Sequence, residues 1–518
     1  MNDATALADQ VRAGEVDAAT AVDEAIARCE EVNPTINAIV EQTYDTARHS
    51  AAQFDTARHS AAQFDTARHS AAQFDTARQR AAALSASGDN SGLLAGVPIA
   101  LKDLHCPAEG EPAYQGNRRL AELDYRYSET GAVARRWAEA GAVSIGHSHS
   151  PELGGGQCPA AAETALYGPT RNPWNTDHTV LGSSGGAAAA VAAGIVRIAH
   201  ASDGGGSIRI PASANGLVGL KPSRGRISGA PSGEGWGGGT TDGAVALTVR
   251  DAALALDVLA GPEPGDPYVP AHPAPAAGYV AEVGQDPGQL RIGVSSTLPF
   301  ADTELLCTQA AEAAAGILDG LGHRVEAGLP EPMASNDYMY DYIRVIRTSA
   351  TATLRSYEGV LGRPWAEDDV EPVAWINYQR GAKISAPDYM DSRERLHHFT
   401  RRMVSWWNTE PGSGDGFDLL LTPTLGVVPP PVGYLVEGDE RTLTKRLAKV
   451  TPYLPQFNVT GQPAISVPLG TPDGMSPEGL PIGVQLVAAP GREDVLLRVA
   501  AQMEQAAPWS HRRPAVAV

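Results

Sequence analysis

The sequence predicts an α/β fold, in which a β-sheet is layered with helices. After residue 90, apolar segments of strand character alternate with alanine-rich segments of helical character, and glycine and proline separate them. This alternation is typical of an α/β layered domain. The chain has 518 residues, 43% of them hydrophobic, so it can bury a large core, and no shift in composition marks a clean domain boundary.

The first 40 residues predict two short amphipathic helices. Apolar residues recur at helical spacing in ATALADQVRAG, which begins at Ala4, and again in DEAIARCEEV, which begins at Asp23. An apolar stripe at this spacing lets a helix pack on a core. We expect both helices to belong to an N-terminal helical region over residues 1–80, which precedes a larger domain over residues 81–518.

A ten-residue unit repeats within that N-terminal region, over about residues 45–78. AAQFDTARHS fills residues 51–60 and 61–70, and AAQFDTARQR fills 71–80. Ten residues rotate an α-helix by roughly 1,000°, so the phenylalanine of each copy is displaced by about 80° from the last and no constant apolar stripe forms. We therefore interpret the repeat as a tandem duplication that lengthens an exposed helix, and an interaction arm is the alternative.

Beyond residue 90 the elements can be assigned in chain order. Strand character is found at 96–103, in the second half of 130–146, and at 417–424, 463–470 and 481–489. Helical character is found in the first half of 130–146, at 183–194 and in an excursion over roughly 303–410. Lys102 stands at the end of the first of these strands, and the helix at 183–194 starts in a serine-glycine loop.

Charge and hydropathy exclude several classes of protein. The formal net charge is -20 and the sequence pI is about 5.1, which argues against binding to a phosphate backbone, so we expect no nucleic acid partner. The N-terminus has no basic stretch followed by an apolar one, and the longest alanine-rich apolar run, AAAAVAAGIV, is far shorter than the roughly 20 residues of a membrane helix. We expect a cytoplasmic protein without a membrane partner.

The four cysteines predict neither disulfides nor a metal centre. Cys29, Cys106, Cys158 and Cys307 lie far apart, and no C-x-x-C pair occurs. This spacing fits reduced, packed thiols better than a disulfide framework or a zinc site. We expect neither a metal nor a cofactor.

Three motifs compete as the functional site. GSSGG at 182–186 matches the G-x-S-x-G elbow of α/β-hydrolases, with Ser184 as the nucleophile. No downstream histidine lies in a sequence pattern that would mark it as the partner of this serine. GEGWGG at 233–238 matches a dinucleotide-binding pattern, yet no predicted strand precedes it and no predicted helix follows it. The third combination joins Lys102 to two serine-glycine loops, which together supply a base, a relay hydroxyl and a nucleophile.

This third combination resembles the amidase signature family, whose members hydrolyse amide bonds with a serine-cis-serine-lysine triad. GVPIALKD begins at Gly96, LGSSGGAAAAVAAG at Leu181 and ASDGGGSIRIPASANGLVGLKPSRGRIS at Ala201, in the family's order. With PTRNPWN and PQFNVTGQPAISVPLG, the likeness extends from about residue 81 to the C-terminus. It implies an α/β amidase-signature fold, with a central mixed β-sheet sandwiched between helices and a catalytic domain over 81–518. Within the family, LGRPWAEDDVEPVAW is similar to the 6-aminohexanoate cyclic dimer hydrolases.

The resemblance assigns the base to Lys102, the relay serine to Ser183 and the nucleophile to Ser207. A lysine has an ordinary pKa of about 10.4 and is no base at neutral pH, but burial away from water can lower that value by several units. Neutral Lys102 would take a proton from Ser183, and Ser183 would take one from Ser207 as it attacks the amide carbon. Water would then hydrolyse the acyl-enzyme.

The resemblance also implies an oxyanion hole at Gly204, Gly205 and Gly206. Their backbone N–H groups, with that of the nucleophile, can converge on a carbonyl oxygen only where the chain turns tightly, and glycine permits both that turn and the approach of substrate. The residues expected to support these loops without reacting are Ser184, Asp203 and Arg209.

Other functions stay open at this point. A family member can be the glutamine-hydrolysing subunit of an amidotransferase, and a silent binding protein would use the repeat, although the intact triad argues against the latter. The family commonly has GGSSGGS where LGSSGGA stands at 181–187, which affects the pocket more than the triad. We expect a small linear or aryl/alkyl amide as substrate, a cyclic amide as the second choice, and a homodimer as the oligomer to test.

Overall fold

A mixed sheet of ten strands runs through the protein. The computed structural model describes residues 3–40, 77–85, 91–408, 410–413, 415–470, 475–514 and 516. The strands of the sheet are β1 (Pro98–Lys102), β2 (Val143–Ser148), β7 (Ile198–Asp203), β8 (Val218–Lys221), β9 (Thr241–Ala246), β10 (Arg291–Val294), β11 (Arg324–Ala327), β12 (Leu419–Pro423), β13 (Ala464–Val467) and β14 (Val484–Ala488). Two small hairpins are formed by β3 (Glu163–Thr164), β4 (Gly168–Pro169), β5 (Arg171–Asn172) and β6 (Asn175–Thr179).

The order of the strands brings the ends of β1 and β7 together. The sheet runs β11-β10-β12-β14-β13-β8-β9-β7-β1-β2, with parallel pairs at both ends and antiparallel pairs between β12 and β7. β1 pairs in parallel with β7, and Ala100 lies opposite Ala199. Because parallel strands end at the same edge of a sheet, Lys102 at the end of β1 lies beside the last residues of β7.

Helices cover both faces of this sheet. Their bounds are Ala4–Arg12, Ala18–Ile36, 77–85, Arg118–Glu122, Ala132–Glu139, Gly185–Ala192, Arg209–Asn215, Val249–Leu259, Leu305–Gly320, Tyr338–Leu361, Pro372–Gly381, Ala386–Val404, Glu440–Val450, Pro455–Thr460 and Glu493–Ala506. The predicted α/β fold with a mixed sheet between helices is confirmed.

Alternation along β1 decides which side chains meet which helices. Ile99 and Leu101 lie in the largest apolar core together with the helices Val249–Leu259 and Glu493–Ala506. Ala100 lies on the opposite face, in a second core with the helix Gly185–Ala192. Successive side chains of a strand alternate between faces, so the next residue after Leu101 points toward the face that this helix covers.

The N-terminal segments contribute to the same two cores. Helix Ala4–Arg12 packs in the largest core and Ala18–Ile36 in both, which confirms the two predicted helices. Within the helical segment 77–85, Ala77 and Ala81 are fully buried in the second core. These segments are therefore packed against the sheet.

The repeat falls almost entirely outside the described residues. Of the stretch 45–78, for which the sequence predicts an exposed helical extension, the structure describes residues 77 and 78 alone. The extension and the alternative of an interaction arm both stay predictions.

The predicted strands and the helical excursion are found close to their expected positions. β1, β12, β13 and β14 each lie within the segment that predicted them, and β2 extends two residues beyond its predicted segment. The excursion contains four helices. It also contains β11 (Arg324–Ala327), an edge strand that the sequence does not predict. Its residues RVEA are half-buried or exposed and include two charged side chains, so they carry no apolar strand pattern.

Two sequence-based exclusions can be compared with the described part of the chain. All four cysteines are unpaired and buried, as expected for packed thiols. No helix in the described ranges is both long enough and apolar enough to cross a membrane.

Candidate active site

Lys102 lies at the end of β1 and is almost completely buried. Its Nζ is 2.6 Å from Ser183 Oγ, 2.9 Å from Ser202 Oγ and 3.4 Å from the carbonyl oxygen of Ser202. Ser183 comes from the loop before the helix Gly185–Ala192, which packs on the face of the sheet toward which Lys102 points. The predicted base and the predicted relay serine are therefore in direct hydrogen-bond contact.

Burial changes the acid–base behaviour of Lys102. Removal from water disfavours the charged ammonium and lowers the pKa of Lys102 to about 7, although the negative charges of Asp242 and Asp203 act in the opposite direction. A lysine with that pKa is partly neutral at neutral pH and can accept a proton.

His200 connects Lys102 to one of these carboxylates. The backbone N–H of Lys102 donates to His200 Nδ1 at 3.2 Å, and His200 Nε2 lies 3.1 Å from Asp242 Oδ1. Because Nδ1 accepts a hydrogen bond, the proton of the neutral ring is on Nε2 and is donated to Asp242. The imidazole thus holds the strand end and has no contact with a reacting hydroxyl.

The two adjacent serines of the first loop have different surroundings. The Gly182–Ser183 peptide bond is cis, as the family resemblance implies. Ser184 is fully buried. Its Oγ donates to the Ser202 carbonyl at 3.3 Å and accepts from the Ser202 N–H at 3.2 Å. Its backbone N–H donates to the Ser207 carbonyl at 3.3 Å. Ser184 therefore ties the two serine loops together.

This arrangement argues against the α/β-hydrolase elbow. An elbow presents its serine hydroxyl to substrate at the top of a strand-to-helix turn. The hydroxyl of Ser184 is instead committed to Ser202 in both directions, and no imidazole contacts it in the described part of the chain. The dinucleotide motif at 233–238 has no better support, because these residues form a loop with a short 3-10 turn over Gly235–Gly238.

Ser207 stands in the turn between β7 and the helix Arg209–Asn215. The residue is half-buried, and its hydroxyl has no hydrogen-bond partner among the described residues, Ser183 included. Its carbonyl accepts from the Ser184 N–H. The turn thus holds the backbone of Ser207 while its side chain stays free to meet a ligand.

The backbone of the preceding glycine run is organised by Asp203. Its carboxylate accepts the Gly206 N–H at 2.6 Å and the Ile208 N–H at 3.2 Å. In contrast, the N–H groups of Gly204, Gly205 and Ser207 have no acceptor within the described residues. The N–H of Gly206 is used by Asp203 in this structure, and the expected contribution of Gly206 to an oxyanion hole stays a prediction.

Two of the glycines are required for different physical reasons. Gly206 has φ +124, a conformation that residues with a side chain rarely adopt, and a Cβ there would lie 2.8 Å from Leu454 Cδ1. A Cβ at Gly204 would lie 2.8 Å from the Trp236 ring, whereas one at Gly205 would meet nothing within 4 Å. The side of the run at Gly205 is thus open.

Arg209 neutralises Asp203 in the protein interior. Its Nε and Nη2 donate to the two carboxylate oxygens at 2.9 and 3.0 Å, and both side chains are fully buried. Burial alone would raise the pKa of Asp203. The charge and hydrogen bonds of Arg209, with the charge of Lys221 and a hydrogen bond from Asn458, outweigh burial and hold this pKa well below its ordinary value. Arg209 also donates to Asn458 Oδ1 at 2.7 Å and to Gln485 Oε1 at 2.8 Å. It therefore braces the loop, and its guanidinium points away from solvent.

A wall of aromatic side chains closes one side of the glycine run. The Tyr342 hydroxyl donates to the Gly204 carbonyl, and the Tyr342 and Trp236 rings meet edge to face with centroids 6.5 Å apart. Behind this wall is a small cavity, lined in part by Arg224, Arg393 and His397. Trp236 and Tyr342 also line this cavity, and residues 204–207 do not.

Several of these contacts were not predicted from the sequence. Asn458 lies in the motif PQFNVTGQPAISVPLG, so the motif could have indicated Asn458 as a residue of the site. The other unpredicted residues are Ser202, His200, Asp242 and Tyr342. Tyr342 is 138 positions from its partner Gly204, and no local pattern marks it.

The sequence matches one family model and is similar to named hydrolases and amidases over nearly its whole length. The family model described as Amidase matches residues 56–497. A 6-aminohexanoate-cyclic-dimer hydrolase of Paenarthrobacter ureafaciens is 36% identical over 524 residues, which covers 99% of this chain and 96% of that protein. The putative amidase AmiC of Mycobacterium tuberculosis is 35% identical over 509 residues, which covers 98% and 95%.

Solved structures give the same similarity. The structure of a 6-aminohexanoate cyclic dimer hydrolase complexed with substrate matches with a TM-score of 0.86 at 35% identity, over 100% of this chain and 99% of that one. A bacterial aryl acylamidase of the amidase signature family matches with a TM-score of 0.80 at 25% identity, over 98% and 97%.

Proposed function

Because the chain belongs to the amidase family and is an amide-cleaving hydrolase that acts on carbon–nitrogen bonds, we propose that Ser207, Ser183 and Lys102 carry out the cleavage through an acyl-enzyme. The observation that carries the proposal is the 2.6 Å contact between Lys102 Nζ and Ser183 Oγ. It joins a buried amine whose pKa is lowered to about 7 to a hydroxyl in the neighbouring loop.

Acylation moves one proton in each of two steps along this chain. Neutral Lys102 takes the proton of Ser183, and Ser183 takes the proton of Ser207 as the Ser207 oxygen bonds to the amide carbon. The bond to nitrogen then breaks, and the proton returns to the leaving amine. Water repeats the sequence on the ester and releases the acid. No hydrogen bond joins Ser183 and Ser207 in this structure, so the relay requires Ser207 to turn toward Ser183 when substrate binds.

The negative charge on the carbonyl oxygen has to be met by backbone N–H groups. Those of Gly204, Gly205 and Ser207 lack an acceptor within the described residues, which supports them as the oxyanion hole. Removal of one such donor typically costs about 10² to 10³ in kcat. Gly206 serves the same loop by binding Asp203, and Asp203, Arg209 and Ser184 hold its shape.

The substrate class that we propose is a small neutral amide, linear or with an aryl or alkyl group. The similarity to a bacterial aryl acylamidase over nearly the whole chain supports it. A cyclic amide is the second candidate, because relatives named 6-aminohexanoate-cyclic-dimer hydrolase are 36% identical across 99% of the chain. No observation favours the glutamine-hydrolysing subunit of an amidotransferase.

A panel of amides tests this assignment. Purified enzyme is assayed with an aryl anilide, hexanamide, the cyclic dimer of 6-aminohexanoate and glutamine, and Ser207→Ala serves as the blank. We expect the highest kcat/KM with one of the first two amides, and turnover of the cyclic dimer as the best substrate would favour the second candidate. Turnover of glutamine alone would contradict both candidates.

Three finer expectations stay predictions with their own measurements. The first is a cytoplasmic location, which cell fractionation tests. The second is a homodimeric state, which light scattering tests. The third is the division into a helical region over 1–80 and a catalytic domain over 81–518, tested by limited proteolysis. The finding that the N-terminal helices share cores with the sheet means that a cut near residue 80 should leave the two parts associated.

A further inference from the structure

The three N–H groups without an acceptor have one feature in common. A trans peptide is planar, so the C=O of one residue and the N–H of the next point in opposite directions. The Asp203 carbonyl accepts from Asn458 Nδ2 at 3.0 Å, the Gly204 carbonyl accepts from the Tyr342 hydroxyl, and the Gly206 carbonyl accepts from the Ile210 N–H at 2.6 Å. Each free N–H is therefore the opposite end of a peptide whose carbonyl is held.

From this pattern we infer that Tyr342 is a positioning residue of the reaction. Its hydroxyl holds the Gly204–Gly205 peptide and so aims the Gly205 N–H at the carbonyl oxygen of the bound amide. The inference rests on the proposed function, in which this N–H belongs to the oxyanion hole. In this role Tyr342 acts through the peptide, to which its hydroxyl donates.

The Gly204–Gly205 peptide has little steric restraint of its own. Glycine stands on both sides of it, and glycine occupies positive and negative φ about equally well, so this peptide can rotate at little steric cost. The preceding peptide continues β7, and the peptide before Ser207 is held by the start of a helix. Of the two peptides between them, Gly205–Gly206 is held by Asp203 through the Gly206 N–H. Gly204–Gly205 is held by the Tyr342 hydroxyl.

The surroundings of Tyr342 fit a specific role for its hydroxyl. The residue is 2% exposed and lies on the helix Tyr338–Leu361 of the excursion. A Cβ at position 239 would lie 2.2 Å from the Tyr342 oxygen, so Gly239 makes room for the hydroxyl. Burial raises the pKa of Tyr342 above its ordinary value, which keeps the hydroxyl protonated. Because a carbonyl can only accept, the direction of the hydrogen bond is fixed.

The test compares Tyr342→Phe with Tyr338→Phe. Both remove one buried hydroxyl from the same helix, but that of Tyr338 donates to Gln456 Oε1 at 3.0 Å and not to the glycine run. We expect Tyr342→Phe to lower kcat by roughly tenfold to a hundredfold with KM within twofold, which is the signature of an interaction made in the transition state. Affinity for a boronic acid that forms a tetrahedral adduct should fall in parallel. Tyr338→Phe should leave kcat and this affinity unchanged.

A second variant separates a lost hydrogen bond from lost packing. 4-Aminophenylalanine at position 342 keeps the ring and a donor, so it should recover most of the kcat that Tyr342→Phe loses. If the phenylalanine variant does not fold, this variant is compared directly with wild type, and a lower kcat at unchanged KM is expected because an aniline is the weaker donor.

Specific outcomes would overturn the inference. If Tyr342→Phe keeps the kcat and the inhibitor affinity of wild type, or loses activity only through KM, the inference is wrong. If Tyr342→Phe does not fold, wild-type kcat in the 4-aminophenylalanine variant would overturn the inference. Failure of the proposed function is recognised separately, because Ser207→Ala would then keep its turnover. An active Ser207→Ala enzyme would place the reaction elsewhere, and Tyr342 would lose its role with it.

Discussion

Lys102 Nζ lies 2.6 Å from Ser183 Oγ, although the two residues are 81 positions apart in the chain. The contact forms because β1 ends beside β7, and the helix after Ser183 packs on the face toward which Lys102 points. Because Lys102 is buried, its pKa is set by its surroundings, and the pH dependence of turnover should follow that pKa.

Turnover should rise with pH through the acid range and level off above about pH 7. Burial lowers the pKa of Lys102 to about 7, and only the neutral amine can accept a proton. Below that value each pH unit reduces the neutral fraction about tenfold. The measurement is kcat/KM against pH with an amide that does not titrate, and a flat profile between pH 5 and 8 would contradict Lys102 as the base.

The midpoint of that profile should move when Asp242 is changed. The negative charge of Asp242 raises the pKa of Lys102, so Asp242→Asn should shift the rising limb to lower pH. Burial also lowers the pKa of Lys221 to about 7, and the charges that act most on that pKa are those of Arg209 and Asp203. A shift in Asp242→Asn therefore places the titrating group within the field of Asp242, where Lys102 lies, and an unmoved midpoint would contradict Lys102 as that group.

A fluorophosphonate should label Ser207 and not Ser184. The hydroxyl of Ser207 is free within the described residues, whereas that of Ser184 is buried and bonded to Ser202. We expect Ser207→Ala to abolish labelling and turnover, and Ser184→Ala to keep the label at residue 207. Peptide mapping by mass spectrometry locates the label, and its appearance on Ser184 would revive the elbow.

Removal of the Arg209 charge should destabilise the protein strongly. Arg209→Met leaves Asp203 buried without its cation, and the loss of one partner of a buried pair typically costs about 3 to 5 kcal/mol. Urea unfolding gives the free energy, and Arg119→Ala is the control, because it breaks an ion pair with Glu122 on the surface and should cost under about 1 kcal/mol. Equal losses in the two variants would show that the buried pair has no special weight.

Alanine substitutions should separate two glycines of the run. Gly206→Ala forces a side chain into φ +124 and against Leu454, so it should cost about 1 to 3 kcal/mol of folding free energy. Gly205→Ala meets nothing within 4 Å and should fold normally, but its methyl group occupies the open side and should lower kcat/KM at least tenfold. A fully active Gly205→Ala enzyme would show that substrate does not approach there.

Two deletions within the repeat should differ in their effect. Deletion of 51–70 removes two identical units and leaves the junction sequence unchanged, so stability and turnover should stay within error of wild type. Deletion of 51–80 also removes Ala77, which is fully buried, and the Arg78 guanidinium that lies 2.8 Å from Asp23. This longer deletion should lower the melting temperature, as differential scanning calorimetry can measure. A large loss from the shorter deletion would support an interaction arm.

The parts of the site that lie within continuous motifs could be predicted from the sequence. Lys102 and the two serine loops stand in segments whose order and residue types resemble a known family, and strand β1 was apparent from its apolar run. The buried pair of Asp203 and Arg209 was also within reach, because both belong to one of these segments. Local sequence was sufficient where the site is built from neighbours in the chain.

The remaining parts depend on contacts between distant segments. His200 and Asp242 meet because β7 pairs with β9, and the sequence does not specify that pairing. The hydrogen bond from the Gly206 N–H to the Asp203 carboxylate, three residues earlier, was not predicted, because it depends on how the turn folds. Tyr342 had no signal, since an aromatic residue on an amphipathic helix usually packs in a core.

The pairing of Ala100 with Ala199 has a consequence for mutational tolerance. All five residues of β1 are buried, so neither face of that strand is marked by contact with solvent. Deletion of a single residue before Lys102 would let β1 pair again with its neighbours, but it would carry the amine to the opposite side of the sheet, away from the serines. Activity in this enzyme therefore depends on the register of β1. In a library of variants with insertions or deletions in β1, turnover would identify those that keep the register.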